Sequence, residues 1–125
     1  MTKKTNTVSL VLQIIVAGIL VYPAYMKLSS HPDEVDLFTS LKMEPLGRYL
    51  VGFAEMAAVI LVLIPGTVVA GALLAACIMT AAILGHVFSF GFAGALGMFA
   101  MLAFVCLGAS LGILYLRREN IPGLR

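Results

Sequence analysis

Four long, almost uninterrupted apolar stretches divide the chain, and its polar residues gather between and beyond them. The stretches run from Val8 to Met26, Leu46 to Ile64, Val68 to Phe88 and Phe92 to Leu116. A hydrocarbon core of about 30 Å takes roughly 20 residues of helix to cross, and each stretch is of that order. None shows the two-residue alternation of a barrel strand, so helices are expected. Pro65-Gly66 breaks the second stretch from the third, and Ser89-Phe90-Gly91 separates the third from the fourth. Both breaks are short, which sets successive helices antiparallel. The expected fold is all-α: a polytopic, antiparallel four-helix membrane bundle, one domain over residues 1–125.

The segment from Leu28 to Glu44 is the one substantial connection. Ser30 or His31 can cap a helix there, Pro32 suits its first position, and Asp33, Glu34 and Asp36 suit its N-terminal turn. Val35, Phe38 and Leu41 then fall on one side, giving a short amphipathic helix on the outer membrane surface that ends at Pro45. It serves as a connector or as a lid over something beneath.

Composition strengthens the membrane reading. The 125 residues are 62% hydrophobic and 11% charged, less than half the charged share of about 25% in soluble domains. Two cysteines without a cluster exclude a thiol-ligated metal site and a disulfide scaffold. With four spans, both termini share a side bearing Lys3, Lys4, Arg117, Arg118 and Arg125, against Lys27, Lys42 and Arg48 opposite. That excess predicts cytoplasmic termini in an inner, cell membrane. Lys3-Lys4 could also open a signal peptide, but the apolar run is long for one and Tyr22-Pro23-Ala24-Tyr25 is a poor cleavage site. Basic residues split between two membrane faces make no nucleic-acid footprint.

Charge within an apolar span needs a reason, because it costs at least about 2.5 kcal/mol at mid-bilayer. Glu55 is the deepest such group, flanked by Gly52 and by alanines at 54, 57 and 58 that permit close helix approach. Helical side chains lean toward their helix N-terminus. Lys27 and His86 therefore lean inward from the outer ends of their spans, and Glu55 leans up toward them. Arg48 shares a face with Gly52 and Glu55 by spacing, and Tyr22 and Tyr25 lie at the same level. These residues form a candidate ligand-binding pocket. Alternatively, Glu55 and Lys27 only lock helix packing while His86 and Arg48 snorkel to headgroups.

Pro23 should kink the first span. Gln13 is placed to bond across helices, and Gly108 and Gly112 to admit a neighbouring helix, within the bundle or in a second copy. Cys77 and Cys106 lie on adjacent spans and would pair only if their Cα atoms came within about 7 Å. No metal motif, phosphate loop or catalytic nucleophile spacing is present, and His31 and His86 stand at no ligand spacing.

Gly18 followed by Lys27-Leu28, then Gly52-Phe53-Ala54-Glu55 opening a run that stops at Pro65-Gly66, resembles the DoxX family. So does the alanine-rich third span ending in Gly85-His86. The likeness covers about Val16 to His86. It implies a small four-helix membrane protein that serves as a subunit of a quinone-linked oxidoreductase or associates with a redox or stress-defence complex. Glu55 then corresponds to the family's second-helix acid and Lys27 to its first-helix base. A related eukaryotic branch chaperones acetylcholine-receptor channels, and His86 resembles the histidine ending the third span there.

Three function classes follow. The leading one is an accessory subunit holding a quinone-like or other amphipathic ligand, with Glu55 hydrogen-bonding it, Lys27 neutralising Glu55 and His86 relaying a proton. The second is an assembly factor or scaffold for a client membrane protein or larger redox complex. The third is a small proton-coupled exporter. Such exporters carry their acid in the first helix and a binding-site tryptophan, and this chain has neither.

Overall fold

The computed structural model describes residues 3–85, 87–88 and 95–120. Five helices make up the described chain: α1 (Lys3–Leu28), α2 (Pro32–Ser40), α3 (Leu46–Leu63), α4 (Val68–Gly85) and α5 (Ala95–Leu116). Four of them are long and apolar enough to cross a membrane. Among the described residues there is no strand.

The spanning helices lie within the expected apolar stretches except at the first. There α1 begins at Lys3, five residues ahead of the apolar run. Hydropathy marks where lipid can begin, whereas helix formation needs only compatible residues and satisfied backbone groups, and Thr7 Oγ1 donates to the Lys3 carbonyl at 3.1 Å. At its other end α1 continues through Pro23 to Leu28. The third span is α-helix over Val68–Gly85, and Val87 and Phe88 are in a π-helical turn. The break at Ser89-Phe90-Gly91 and the start of the fourth span at Phe92 lie outside the described residues.

α1 packs on α3, α3 on α4, α4 on α5 and α5 back on α1, a closed four-membered ring with α1 and α4 across the diagonal. Mostly small and β-branched side chains fill its centre: Val16, Ala17 and Leu20 from α1, Ala58, Val59 and Val62 from α3, Ala72, Ala75 and Met79 from α4, and Ala103, Cys106, Ala109 and Ile113 from α5. Small residues at helix contacts let backbones approach where lipid supplies no hydrophobic drive. The outer faces carry Ile14, Leu50, Phe53, Ile60, Leu73, Met101 and Phe104, all exposed. That coat is suited to acyl chains and not to water.

A short 3-10 turn over Pro65–Thr67 reverses the chain between α3 and α4. Thr67 Oγ1 closes it by donating to the Leu61 carbonyl at 2.8 Å. Gly71 then lies against the α3 backbone, where a Cβ would meet the Val62 amide nitrogen and come within 2.8 Å of the Leu61 carbonyl carbon. Glycine at 71 is what allows this hairpin to close. At the ring's opposite end α2 lies against both α1 and α3 with Phe38 buried. His31 caps it through Nδ1, which accepts from the Asp33 amide at 3.2 Å, and Pro32 takes the first turn. Val35 and Leu41 flank Phe38 as half-buried residues, so the inner face is the expected apolar one.

Candidate functional site

The buried stripe of α1 is Ser9, Gln13, Val16, Ala17, Leu20, Ala24 and Lys27, polar at both ends and apolar between. The buried stripe of α3 runs antiparallel to it: Arg48, Gly52, Glu55, Ala58, Val59 and Val62. Helical spacing keeps each set on one face. Pairing the two faces puts Lys27 opposite Gly52 and Glu55. A Cβ on residue 52 would stand 3.0 Å from Lys27 Cβ and 3.0 Å from Leu28 Cδ2. The glycine therefore brings the end of α1 close enough for its amine to enter the α3 groove.

Lys27 Nζ lies 3.1 Å from Glu55 Oε1 and 3.6 Å from Glu34 Oε1. All three side chains are withdrawn from the surface, Glu55 most completely at 4% exposure. The contact to Glu55 is an ion pair by distance but lacks hydrogen-bond geometry. Glu55 Oε1 and Glu34 Oε2 are thus buried oxygens without a hydrogen bond. Nearly all buried polar atoms in folded proteins are satisfied, so two on facing carboxyl groups mark a place where acceptors outnumber donors.

Arg48 borders this cluster without joining its carboxyl groups. Its Nε and Nη2 hold Glu44, with Nε 2.9 Å from both carboxylate oxygens and Nη2 2.8 Å from Oε1. Its Nη1 donates to the Lys27 carbonyl. The guanidinium also lies 4.3 Å over the Tyr49 ring, whose hydroxyl is 3.4 Å from Ser30 Oγ. Arg48 is 3% exposed. It satisfies one of the last α1 carbonyls, which a helix end leaves without partners, and so fixes where Lys27 begins its descent.

Of the residues singled out from the sequence, Lys27, Glu55 and Arg48 come together. Tyr22 and Tyr25 are 58% and 65% exposed on the outward face of α1. His86 lies outside the described residues. Sequence reasoning passed over Glu34 and Glu44 as site residues. Glu34 was legible, since spacings of four and seven residues place it on the Phe38–Leu41 inner face of α2. Glu44 stands four residues ahead of Arg48 with Pro45 between, joined by a cis Glu44–Pro45 peptide.

A second polar cluster occupies the end that carries the chain termini. Gln13 Nε2 donates to the Val62 carbonyl of α3 at 2.9 Å, the expected bond across helices. Its Oε1 accepts from Ser9 Oγ at 2.8 Å and from Arg117 Nη2 at 3.3 Å, and Arg117 Nε donates to Ser9 Oγ at 2.8 Å. α1, α3 and the end of α5 are thereby tied together.

Both cysteines are free, Cys77 exposed on α4 and Cys106 buried on α5. Cys77 lines an open groove of about 480 Å³ between α4 and α5, with Ala76, Thr80, Ala81, Leu84, Leu107 and Leu111. A Cβ at Gly112 would lie 3.1 Å from Leu12 Cδ1, whereas one at Gly108 meets nothing within 4 Å. Only Gly112 of that pair serves contact within the bundle. Among the described residues no three of His, Cys, Asp and Glu gather as a metal site. No protein-family model, characterised protein or solved structure matches the chain.

Proposed function

We propose that this chain is a DoxX-like accessory subunit of a quinone-linked membrane oxidoreductase, holding the polar head of an amphipathic ligand beside Glu55. The observation that carries the reading is the Lys27–Glu55 pair at 3.1 Å, overlaid by Glu34 of α2, at one end of the ring's apolar core. Intramembrane ionisable groups are rare and commonly mark ligand or ion sites. One ammonium against two carboxyl groups leaves acceptors in excess, so a head that donates hydrogen bonds suits the cluster. A hydroquinone hydroxyl is such a head, and its ring and tail can lie among apolar side chains. These side chains supply hydrogen bonding and charge, and electron carriage is assigned to partner subunits. The basic-residue asymmetry supports cytoplasmic termini, which puts this cluster at the outer leaflet.

Titrating the purified protein with a reduced quinone analogue tests the reading. Saturable binding, weakened at least about tenfold in Glu55→Gln, a loss of roughly 1.4 kcal/mol, is expected. Absent binding, or affinity unchanged in both Glu55→Gln and Lys27→Met, removes it.

The groove beside Cys77 favours a second reading, an assembly factor or scaffold. Its floor of Ala76, Ala81 and Thr80 between the leucines of α4 and α5 has the small-residue character of a helix-docking surface. Crosslinking from Cys77 in native membranes to a specific partner, lost in Ala81→Phe, would support it. A crosslink only between copies of this chain would argue for a homo-oligomer instead.

A further inference from the structure

The cluster at the terminal end differs from the first in one respect that points to a ligand. Arg117 is half-buried and carries a full positive charge, yet its described partners, Ser9 Oγ and Gln13 Oε1, are neutral. Ser9 is 0% exposed and Gln13 is 4% exposed, so the guanidinium is held by a built, buried framework and not by loose surface groups. Gln13 is itself fixed by donating to the Val62 carbonyl. A guanidinium has five N–H donors in a planar fork. Those of Nε and one of Nη2 form the side edge, and this edge is spent on Ser9 and Gln13. The end edge, Nη1 with the second hydrogen of Nη2, meets no acceptor among the described residues.

Arg117 is the first residue beyond α5, at the level where a spanning helix meets the headgroups. Lys3 and Lys4 open α1 at the same end of the bundle, and both are exposed. Arg118 follows with its Nη1 donating to the Tyr115 carbonyl at 2.7 Å and its guanidinium 4.3 Å over the Tyr115 ring. Glu119 is the acid among the described residues of this end; it is exposed and has an interaction of its own. A planar fork presented at headgroup level, inside a basic rim, has the geometry for bidentate recognition of a phosphate.

We propose that Arg117, oriented by Ser9 and Gln13, binds the phosphate of an anionic phospholipid headgroup, and that the bound lipid strengthens closure of α1 against α5. The inference is independent of the ligand assigned to the Glu55 end, because it uses none of the same residues. A free phosphate anion shares the chemistry and is distinguished by the test.

The full chain is reconstituted in phosphatidylcholine nanodiscs, with or without one part in three of phosphatidylglycerol. Thermal unfolding and the lipid retained on gentle release into native mass spectrometry are then measured. Wild type and Arg118→Gln should be stabilised by phosphatidylglycerol and should retain it over phosphatidylcholine by about fivefold, the weight of one basic group near an anionic surface. Arg117→Gln should lose both effects. Arg117→Lys keeps the charge without the fork and should lose most of the retention, which serves as the readout if Arg117→Gln folds poorly. Equal stabilisation of Arg117→Gln and wild type would overturn the proposal. So would an equal loss in Arg118→Gln, which would mean a diffuse charge effect, or full replacement of the lipid effect by inorganic phosphate in phosphatidylcholine discs.

Discussion

The two ends of the bundle solve the same problem, a polar group on the buried stripe of α1, with different chemistry. At one end Lys27 faces the carboxyl groups of Glu55 and Glu34, and two carboxyl oxygens remain without hydrogen bonds. At the other, Ser9 and Gln13 bond each other, α3 and Arg117, through four neutral or singly charged contacts between 2.8 and 3.3 Å. In the second network no buried side-chain nitrogen or oxygen lacks a hydrogen bond, and the outer edge of its arginine meets no described acceptor. The first is unsaturated inside the protein. Unsaturated buried charge is expensive, and folds keep it where something else is gained. For this reason the amphipathic ligand is assigned to the Glu55 end, and the Gln13 end is read as a clasp that a lipid headgroup tightens from outside.

The contrast can be broken first at Lys27. Lys27→Met leaves Glu55 buried without its ammonium, and removing one partner of a buried pair costs about 3–5 kcal/mol. The double variant Lys27→Met, Glu55→Met should recover most of that loss in unfolding experiments in nanodiscs. A single variant as stable as wild type would show that the pair contributes nothing to folding.

Close approach is the next largest effect, and it also differs between the ends. Overpacking costs about 1–3 kcal/mol. Gly71→Ala should sit at the top of that range, because its Cβ would meet α3 backbone that cannot yield. Gly52→Ala should cost less, since its neighbours at 3.0 Å are side-chain atoms of Lys27 and Leu28. It should nevertheless weaken ligand binding by displacing Lys27, whereas Gly71→Ala should leave binding intact in the folded fraction. Comparing midpoints with affinities separates the two.

These differences explain which features the sequence makes legible. Continuous apolar runs made the four spanning helices plain, and Pro65-Gly66 marked the hairpin that the 3-10 turn makes. Lys27, Arg48 and Glu55 stood out because a charge in an apolar run is conspicuous, and direction of lean was enough to bring Lys27 and Glu55 together. Ser9 and Arg117 were not legible as partners. A serine in a helix is unremarkable, and nothing local says that an arginine 108 positions later turns back to meet it. Glu34 was obscured by a competing role, since an acid in a first helical turn already has a reason to be there. The outward rotation of Tyr22 and Tyr25 is a matter of azimuth, which their level along α1 does not fix.

Gln13 tests the clasp at smaller scale. Gln13→Leu removes two bonds between helices, to the Val62 carbonyl and from Arg117, and the bond from Ser9 within α1, while leucine fills similar space. Side-chain hydrogen bonds between membrane helices average about 0.6 kcal/mol each, so the expected loss is roughly 1 kcal/mol, well below that of Lys27→Met. Unfolding midpoints of the two variants, measured side by side, check the ranking. If Gln13→Leu proved the costlier, the terminal cluster and not the charged one would be the main polar lock of the fold.

The smallest effect belongs to Glu34, and it decides whether α2 is held by charge or by packing. Glu34 lies 3.6 Å from Lys27 Nζ, farther than Glu55 at 3.1 Å, and its Oε2 is buried without a hydrogen bond, so the attraction does little more than offset the cost of burying the charge. Phe38, on the same helix, is 6% exposed and packed into the bundle, and truncating a buried phenylalanine costs about 3–5 kcal/mol. Glu34→Gln should therefore barely shift global unfolding, while Phe38→Ala shifts it clearly. Amide exchange along α2 gives the finer reading. If it quickens modestly in Glu34→Gln and strongly in Phe38→Ala, the helix is anchored by its apolar face, and the carboxyl group of Glu34 is free to trade Lys27 for an arriving ligand. If both substitutions quicken it equally, Glu34 is a structural strut, and a ligand reaching Glu55 would have to dislodge all of α2.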